Sequence, residues 1–391
     1  MVFIPPTLEQ FHSFFKISAL SKVQNELSVD FLREMFTQAL KQFRNKLALP
    51  LAVLQQFTAV NLLDSTHLAL PENMREEYPG CGGKGAGLKI QLVFDFLHGN
   101  MQQVVLQAGR KADQAYRDYL EVVQAGSLMI MDLGYFCLNA LQAIRDKGAY
   151  FISRYHYPTA LLIPGGKRID LLSFLRKQAT SAMEMPVLLG ARHHIPCRLI
   201  MLRLPSHVAQ ERRRRAKAAA AKHNKSLTKE YLSLLDWTIL LTNVSVTMLS
   251  LEQVACLYRV RWQIELVFKL WKSYCGLKRI TLWRSERVLT ELYAKMIGIV
   301  LIHFLLAPLR IPDAQWSGRE TSSIQFRKTL GRFAVRLLEA LSDNHSFVDV
   351  LTKLFRRIEH FGFKQKRRKK PKVCALLAFD PPSCSPVVLL A

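Results

Sequence analysis

Two short apolar segments, AVNLLDST at residues 59–66 and SLMIMDLG at 127–134, decide the fold. Each has the length and the large apolar side chains of a buried strand, and each is bounded by polar residues. Each also carries one aspartate where its apolar run ends, Asp64 in the first and Asp132 in the second. A sheet built on these two strands would hold both carboxylates rigidly at its edge.

Further strand-like segments surround these two, namely LKIQLVFDFLHG (88–99), MQQVVLQAG (101–109), AYFISRY (149–155) and TILLTNV (238–244). Helical patterns fall at 112–124 and 136–147, and a turn at 98–100 joins the second and third strands. The order of three strands, helix, strand, helix and strand predicts a mixed α/β sheet that begins with a hairpin.

Three other segments of the chain do not show this alternation of strands and helices. Residues 1–56 predict a helical N-terminal region, and 156–237 predict a β-rich insertion that contains a basic arm. The sheet pattern occupies 57–155 and 238–307, and 308–391 predict a helical C-terminal region with a basic tail. The longest apolar stretch, 296–307, is too short to cross a bilayer, so we expect a buried helix and no membrane partner.

Charge indicates the partner more than the fold. The chain has 55 Lys and Arg against 30 Asp and Glu, a net charge of +25 in a sequence that is 50% hydrophobic. Such a chain can bury a large core, which excludes a disordered basic tail protein, and its surface would attract nucleic acid. Two runs, 211–229 and 364–372, hold much of the excess. For both runs, a solvated segment that aids solubility and a nonspecific phosphate contact stay open as alternatives.

The cysteine spacing and the N-terminal residues indicate the cellular compartment in which the protein works. The seven cysteines show no CxxC or CxxH spacing, which argues against a zinc site or a disulfide framework. The first sixteen residues have no basic segment ahead of an apolar run, so we expect no secretory signal. These features predict a protein of the reducing cytoplasm.

A third acid lies on a long helical pattern at 251–274. At about 100° per residue, Tyr258, Arg261, Glu265 and Lys272 fall within an arc of about 60° beside the apolar face. One alternative is a solvated face, on which Glu265 pairs with Arg261 or Lys269. The other is a carboxylate that completes a metal cage among cations that hold phosphates. Asp64 and Asp132 leave two alternatives as well, since an aspartate after a strand is often a turn or capping residue.

Three carboxylates on two strands and a helix would suit a pair of divalent metal ions. Carboxylate oxygens are hard ligands, and the sequence has no His or Cys cluster that would argue for zinc. We therefore predict Mg²⁺, with Mn²⁺ able to substitute, bound by Asp64, Asp132 and Glu265.

The spacing of Tyr258, Arg261, Glu265 and Lys272 resembles the YREK signature of the DDE transposases in the insertion-sequence-four family. The segments around Asp64 and Asp132, and those at 149–155 and 239–244, are similar to that family in the same order. The resemblance covers about 57–307. It implies a ribonuclease-H-like mixed sheet flanked by helices, interrupted by a β-rich insertion.

The resemblance also implies the activity and the partners. Asp64, Asp132 and Glu265 would bind two Mg²⁺ ions, cut the transposon ends and join them to target DNA. The protein would bind double-stranded DNA, both terminal inverted repeats and target, as a homodimer in the synaptic complex. It would work in the bacterial cytoplasm, in association with the nucleoid. The helical region 1–56 would contact the transposon ends, by analogy alone.

The DNA-binding residues that the resemblance implies are Tyr258, Arg261, Lys272, Arg154 and Trp237, and Lys269 lies in the same cationic stripe. Arg154 matches a DNA-contacting arginine after the fifth strand, although an isolated arginine is often only a surface residue. Trp237 resembles a tryptophan that stacks on a flipped base in some relatives. A packed core tryptophan stays open as the alternative, as does a half-buried surface aromatic for Tyr258.

Two other functions compete with a transposase. One is a structure-selective nuclease of the same fold, which would cut DNA without joining it. The other is a catalytically inactive basic DNA-binding protein derived from a transposase. The YREK spacing disfavours the first, and the presence of all three acids disfavours the second.

The stripe on the 251–274 helix generates a first prediction. Replacing Lys272 with Ala should weaken binding to transposon ends, because one phosphate contact is lost, and should reduce the slope of log affinity against log salt by about one. Binding titrations at several salt concentrations measure this slope. A slope identical to that of the wild type would contradict phosphate contact by Lys272.

Overall fold

The computed structural model describes residues 26–83, 85–222, 224–307, 309, 321–340, 344–363 and 377. The predicted basic run 364–372 lies outside the described residues. The chain divides into two compact units. The first comprises Met1–Pro50, Ser65–Lys111 and Gln263–Lys370, and the second comprises Leu51–Asp64, Ala112–Trp262 and Pro371–Ala391.

The described helices alternate with strands in the first half of the chain and dominate the second half. The helices are α1 Glu26–Gln42, α2 Ala52–Gln55, α3 Leu138–Asp146, α4 Leu171–Arg176, α5 Ser206–Ala221, α6 Lys229–Leu234, α7 Leu251–Val260, α8 Trp262–Lys269, α9 Ser285–Leu306, α10 Ser323–Glu339 and α11 Asn344–Phe361. A π-helical segment, Leu270–Tyr274, follows α8. Short 3-10 turns lie at Glu72–Met74, Cys81–Gly83, Asp113–Ala115, Asp118–Val122 and Leu133–Tyr135.

Nine described strands form one mixed sheet. They are β1 Val60–Leu70, β2 Ala86–Asp95, β3 Asn100–Ala108, β4 Leu128–Met131, β5 Tyr150–Arg154, β6 Leu161–Leu162, β7 Ala182–Leu189, β8 Ile195–Arg203 and β9 Trp237–Thr242. In the second unit the order is β1-β4-β5-β9-β8-β7-β6, and in the first unit it is β3-β2-β1. The predicted mixed α/β sheet and its opening hairpin are therefore confirmed.

Parallel pairing at the centre of the second unit explains why its strands are so apolar. Strand β4 pairs in parallel with β1 on one side and with β5 on the other. All four of its residues, Leu-Met-Ile-Met, are fully buried. A parallel strand is covered on both faces, so an unbroken apolar run suits it better than alternation. The insertion strands β6, β7 and β8 continue the same sheet beyond β9 by antiparallel pairing.

The hairpin β2–β3 in the first unit is fixed by its turn. Asp95 is fully buried, and its carboxylate accepts a hydrogen bond from the Leu97 backbone N–H at 3.0 Å. The same carboxylate lies 2.6 Å from Nδ1 of His98. Gly99 has a φ of 81°, a conformation that glycine adopts without strain. These local contacts place the turn at 96–99, which overlaps the predicted turn at 98–100 by two residues.

Helix α9 forms the core of the first unit with α1. The ring of Tyr293 packs on Phe36 at 6.0 Å between centroids, and Phe304 packs on Phe43 at 5.3 Å. Among the described helices α9 alone is long and apolar enough to cross a membrane by length and composition. Of its most apolar window, 56% is buried inside the protein, as in the core helix of a globular domain. This burial agrees with the expected buried helix at 296–307.

Two parts of the predicted secondary structure are wrong. The segment 112–124 is not a helix but two 3-10 turns, Asp113–Ala115 and Asp118–Val122. Tyr116 and Tyr119 are buried with their rings 5.9 Å apart, and this packing outweighs a weak local helix preference. The segment 251–274 is not one regular helix, because α7 ends before Arg261 and the last five residues are π-helical.

A buried polar contact inside the first unit generates the second prediction. The indole Nε1 of Trp271 donates a hydrogen bond to Nε2 of His303 at 2.9 Å, and both side chains are buried. Replacing His303 with Leu removes the acceptor and leaves a buried N–H without it, so unfolding free energy should fall by about 1–3 kcal/mol. Urea denaturation of the variant and the wild type measures this change. His360→Leu, at an exposed position of α11, is the control and should change the midpoint little.

Candidate functional site in the second unit

Asp64 lies within β1 and not at its end, contrary to the sequence prediction. The strand continues to Leu70, whereas its parallel neighbour β4 ends at Met131. The last residues in register on the two strands are Leu63 and Met131. Asp64 therefore lies where the neighbouring strand ends, and its side chain is partly exposed. The ending of β4, and not the ending of β1, opens the edge at this point.

Asp132 follows β4 directly and begins the 3-10 turn Leu133–Tyr135. Its backbone is extended, with φ −79° and ψ 167°, and its side chain makes no capping hydrogen bond. The alternative that Asp132 is a capping residue is therefore not supported by its contacts. The carboxylate instead accepts a hydrogen bond from another element of the same unit.

Register carries three of the predicted site residues to one face of the sheet. Leu63, Met131 and Ser153 occupy matching positions on the parallel strands β1, β4 and β5. Side chains alternate between faces along extended backbone, so the next residue on each strand shares the opposite face. These next residues form a row, at strand spacings of about 4.8 Å. The row is Asp64, Asp132 and Arg154.

Helix α7 and the residue that follows it bring two of the predicted site residues to the two carboxylates. Its start is fixed by a capping box, in which Ser250 and Gln253 exchange side-chain and backbone hydrogen bonds. At its other end, Nη1 of Arg261 donates to Oδ2 of Asp64 at 3.0 Å. The phenol of Tyr258 donates to Oδ1 of Asp132 at 3.4 Å, a long hydrogen bond. Both aspartates are thus held by the same helical segment.

The two carboxylates differ in electrostatic environment. Asp64 has an ion pair with Arg261, and these side chains are only 21% and 17% exposed. Burial first, and the Asp132 charge second, raise the pKa of Tyr258 well above its ordinary value of 10, against the opposing effect of Arg154 and Arg261. The phenol therefore stays protonated and donates a hydrogen bond to Asp132 without cancelling its charge.

Trp237 is the first residue of β9 and is only 6% exposed. The guanidinium of Arg203, its register partner on β8, lies 5.5 Å from the indole centroid. This burial matches the alternative of a packed core tryptophan. Stacking on a flipped base stays a prediction and would require the indole to become exposed.

The remaining predicted site residues of the 251–274 segment belong to the first unit. Glu265 is partly exposed and Lys269 is exposed, both on α8. Lys272 lies in the π-helical segment, where a turn contains more residues than in an α-helix. The arc calculated for a regular helix therefore does not apply to Lys272. Burial first, and the nearby Lys278 second, lower the pKa of the Lys272 ammonium.

The donor set of the row fits a divalent cation. Asp64 and Asp132 supply hard carboxylate oxygens on adjacent strands, which is the ligand chemistry of Mg²⁺ or Mn²⁺. In the part of the chain that the structure describes, no group of three or more His, Cys, Asp and Glu side chains lies at metal-binding spacing. The structure therefore brings two of the predicted acids together, and the convergence of Glu265 with them stays a prediction.

The structure adds one candidate site residue, Arg212, that the sequence did not predict. It lies on α5 inside the basic run 211–229, and its Nη1 donates to Oγ1 of Thr238 at 3.1 Å. Burial first, and the charge of Arg154 second, lower the pKa of its guanidinium to about 10. The available signal was helical spacing, because Ala209 and Ala216 share its face and Ala209 is buried.

The fold and this cluster define an α/β protein with a carboxylate edge set among cationic side chains. The chain belongs to the family described as transposase DDE domain, whose model matches residues 55–301. That span contains both aspartates and the helices α7 and α8. The chain is therefore a DDE transposase, a polynucleotidyl transferase that acts on DNA and uses divalent metal.

Curated relatives support this assignment over most of the chain. The chain is 28% identical over 377 residues to the transposase for insertion sequence element IS231F of Bacillus thuringiensis subsp. israelensis, covering 90% of this chain and 79% of that protein. It is 25% identical over 381 residues to the transposase for insertion sequence element IS1151 of Clostridium perfringens, again covering 90% and 79%. These relatives place the chain among the transposases of bacterial insertion sequences.

One solved structure is also similar to the chain. It is the cryo-EM structure of a piggyBac transposase synaptic complex with hairpin DNA, at 9% identity and a TM-score of 0.44. The similarity covers 83% of this chain and 57% of that chain.

The Arg261–Asp64 pair generates the third prediction. Arg261→Met keeps much of the side-chain length but removes the cation beside a largely buried carboxylate, so unfolding free energy should fall by about 1–3 kcal/mol. Lys353→Met is the control, because its pair with Asp349 is 60% and 61% exposed and should be worth less than about 1 kcal/mol. Urea denaturation measures both variants. A double variant that adds Asp64→Asn should recover part of the loss, and strict additivity would contradict the coupling.

Proposed function

We propose that this chain is a transposase of the insertion-sequence-four type, with the YREK signature at Tyr258, Arg261, Glu265 and Lys272. The observation that carries the proposal is that two of these signature residues contact two aspartates on adjacent strands. Arg261 contacts Asp64, and Tyr258 contacts Asp132. If this helix face were only solvated, Tyr258 and Arg261 would point to water and would not contact the two aspartates.

Asp64, Asp132 and Glu265 are proposed as the metal ligands of a ribonuclease-H-like core. Two Mg²⁺ ions, replaceable by Mn²⁺, would activate the attacking oxygen and stabilise the leaving oxygen at phosphorus. The protein's own part is to hold two carboxylates at a fixed strand spacing and to orient them. The capping box that starts α7 supports this orientation, because it fixes the position from which Tyr258 and Arg261 reach the sheet.

The surrounding cations are proposed to hold the DNA. Arg261 is proposed as a phosphate contact, because a planar guanidinium matches the geometry of phosphate oxygens. Lys269 and Lys272 are proposed as phosphate contacts, and Tyr258 as a contact near the cleaved end. Trp237 is proposed for stacking only in a state that exposes its indole.

The segments of the chain are proposed to have different roles in transposition. Residues 57–155 and 238–307 form the catalytic core, interrupted by the insertion at 156–237. The region 1–56 recognises the terminal inverted repeats, and 308–391 contribute a helical region and a basic tail. The protein acts as a homodimer on paired ends in the bacterial cytoplasm, in association with the nucleoid.

The carboxylates generate the fourth prediction. Asp132→Asn and Glu265→Gln should each reduce Mg²⁺-dependent cleavage of the element's own ends by at least about a hundredfold, because each removes a charged ligand. Both variants should bind the same DNA nearly as well as the wild type. Mapping of cut strands measures cleavage, and binding titrations without metal measure affinity.

Glu359→Gln is the matched control, since it makes the same chemical change on an exposed position of α11. Full cleavage by Glu265→Gln would remove Glu265 from the proposed site. Cutting by the wild type without strand joining would favour a nuclease, and binding without cutting would favour an inactive derivative. The three outcomes use one set of DNA substrates, so they are directly comparable.

A further inference from the structure

The side chains of Arg154 and Arg212 reach the face of the sheet that carries Asp64 and Asp132. Among the residues that the structure describes, neither guanidinium has a carboxylate within ion-pair distance. Arg212 donates one hydrogen bond to the hydroxyl of Thr238. By contrast, the next three arginines of the same run are all paired with acids: Arg213 with Asp236, and Arg214 and Arg215 with Glu211.

Sheet register places both guanidiniums on one face. Arg154 on β5 is in antiparallel register with Leu240 on β9, so their side chains share a face. Thr238 is two residues from Leu240 on the same strand and therefore also shares it. Since the Thr238 hydroxyl accepts from Arg212, the tip of Arg212 is held at this face as well.

Electrostatic coupling agrees with this placement. Burial lowers the pKa of the Arg212 guanidinium most, the charge of Arg154 lowers it further, and Tyr258 opposes both effects. Burial raises the pKa of the Tyr258 phenol, and the charge of Arg154 partly offsets that rise. The same phenol donates a hydrogen bond to Asp132. Two cations that repel each other persist in one place only when the surrounding fold holds them there. An anion between them would relieve the repulsion.

We propose that Arg154 and Arg212 together bind one phosphate of the DNA strand that lies next to Asp132. The ligand class is a DNA backbone phosphate, and Arg212 is an added DNA-contacting residue from the insertion helix α5. The inference rests on the proposed function, because it takes Asp132 as part of the cleavage site. It gives one residue of the basic run 211–229 a specific role, while Arg214 and Arg215 remain exposed.

Arg213 explains how α5 delivers Arg212. Its Nη1 donates to Oδ2 of Asp236 at 2.9 Å, one residue before β9 begins. Arg212 and Arg213 thus attach the first half of α5 to the start of β9. The second half of the helix carries Arg214 and Arg215 on exposed positions.

Arg212→Gln tests the proposal, and Arg214→Gln is its matched control. Both remove one charge from the same helix, but Arg214 is 72% exposed and paired with Glu211. With a duplex that carries the element's own end and no metal, Arg212→Gln should lower the slope of log affinity against log salt by about one. Arg214→Gln should change that slope by less than half as much.

A second arm identifies the phosphate. Duplexes that carry a single uncharged methylphosphonate at successive positions around the cleavage site should reveal one position at which wild-type binding falls about tenfold or more. At that position Arg212→Gln should lose little further affinity, whereas Arg214→Gln should lose as much as the wild type. Equal sensitivity of Arg212→Gln and the wild type at every position would overturn the proposal.

Two further variants keep the test decisive if Arg212→Gln folds poorly. Arg212→Lys keeps the charge but not the planar fork, and Thr238→Val removes the hydroxyl that orients the guanidinium. Both should give intermediate sensitivity to the same methylphosphonate, and wild-type behaviour of both would overturn the proposal. Because these titrations contain no metal, they stand even if the wild type does not cut. Asp132-dependent cutting with no Arg212 effect would leave the proposed function intact and reject this inference alone.

Discussion

The parallel register of β1, β4 and β5 is the constraint on which the candidate site depends. It places Asp64 and Asp132 on adjacent strands, which lie about 4.8 Å apart, so their two like charges repel each other. A fold that keeps both carboxylates ionised must supply compensating groups nearby. The segment that begins at the Ser250 capping box supplies them, through Arg261 on one carboxylate and Tyr258 on the other.

Much of the sheet could be predicted from the sequence because its strands are short apolar runs bounded by turn residues. Strand β4 shows this best, because a parallel strand covered on both faces has only apolar residues, and an unbroken apolar run is easy to recognise in the sequence. The segment 112–124 failed for the opposite reason. Its local pattern suits a helix, but Tyr116 and Tyr119 are buried by packing that no local pattern records.

The candidate site could be predicted in part for a similar reason. Asp64, Asp132 and the residues from Tyr258 to Lys272 stand at spacings that the sequence displays, so their residue types and order were visible. Arg212 was not visible, because the run of four arginines offers no local difference between a half-buried arginine and an exposed one. Only the contacts of α5 with β9 separate Arg212 from Arg214, and such contacts join residues distant in sequence.

Because Tyr258 contacts Asp132 and Arg261 contacts Asp64, the two carboxylates should bind a cation with different strength. Asp64 is already paired with a full positive charge at 3.0 Å. Asp132 receives only the dipole of a phenol, because burial keeps Tyr258 protonated. Among the described residues no cation lies within ion-pair distance of Asp132, so its negative charge is the less compensated of the two. A divalent ion approaching the row would therefore gain more at Asp132, whereas at Asp64 it must compete with a guanidinium that also suits phosphate.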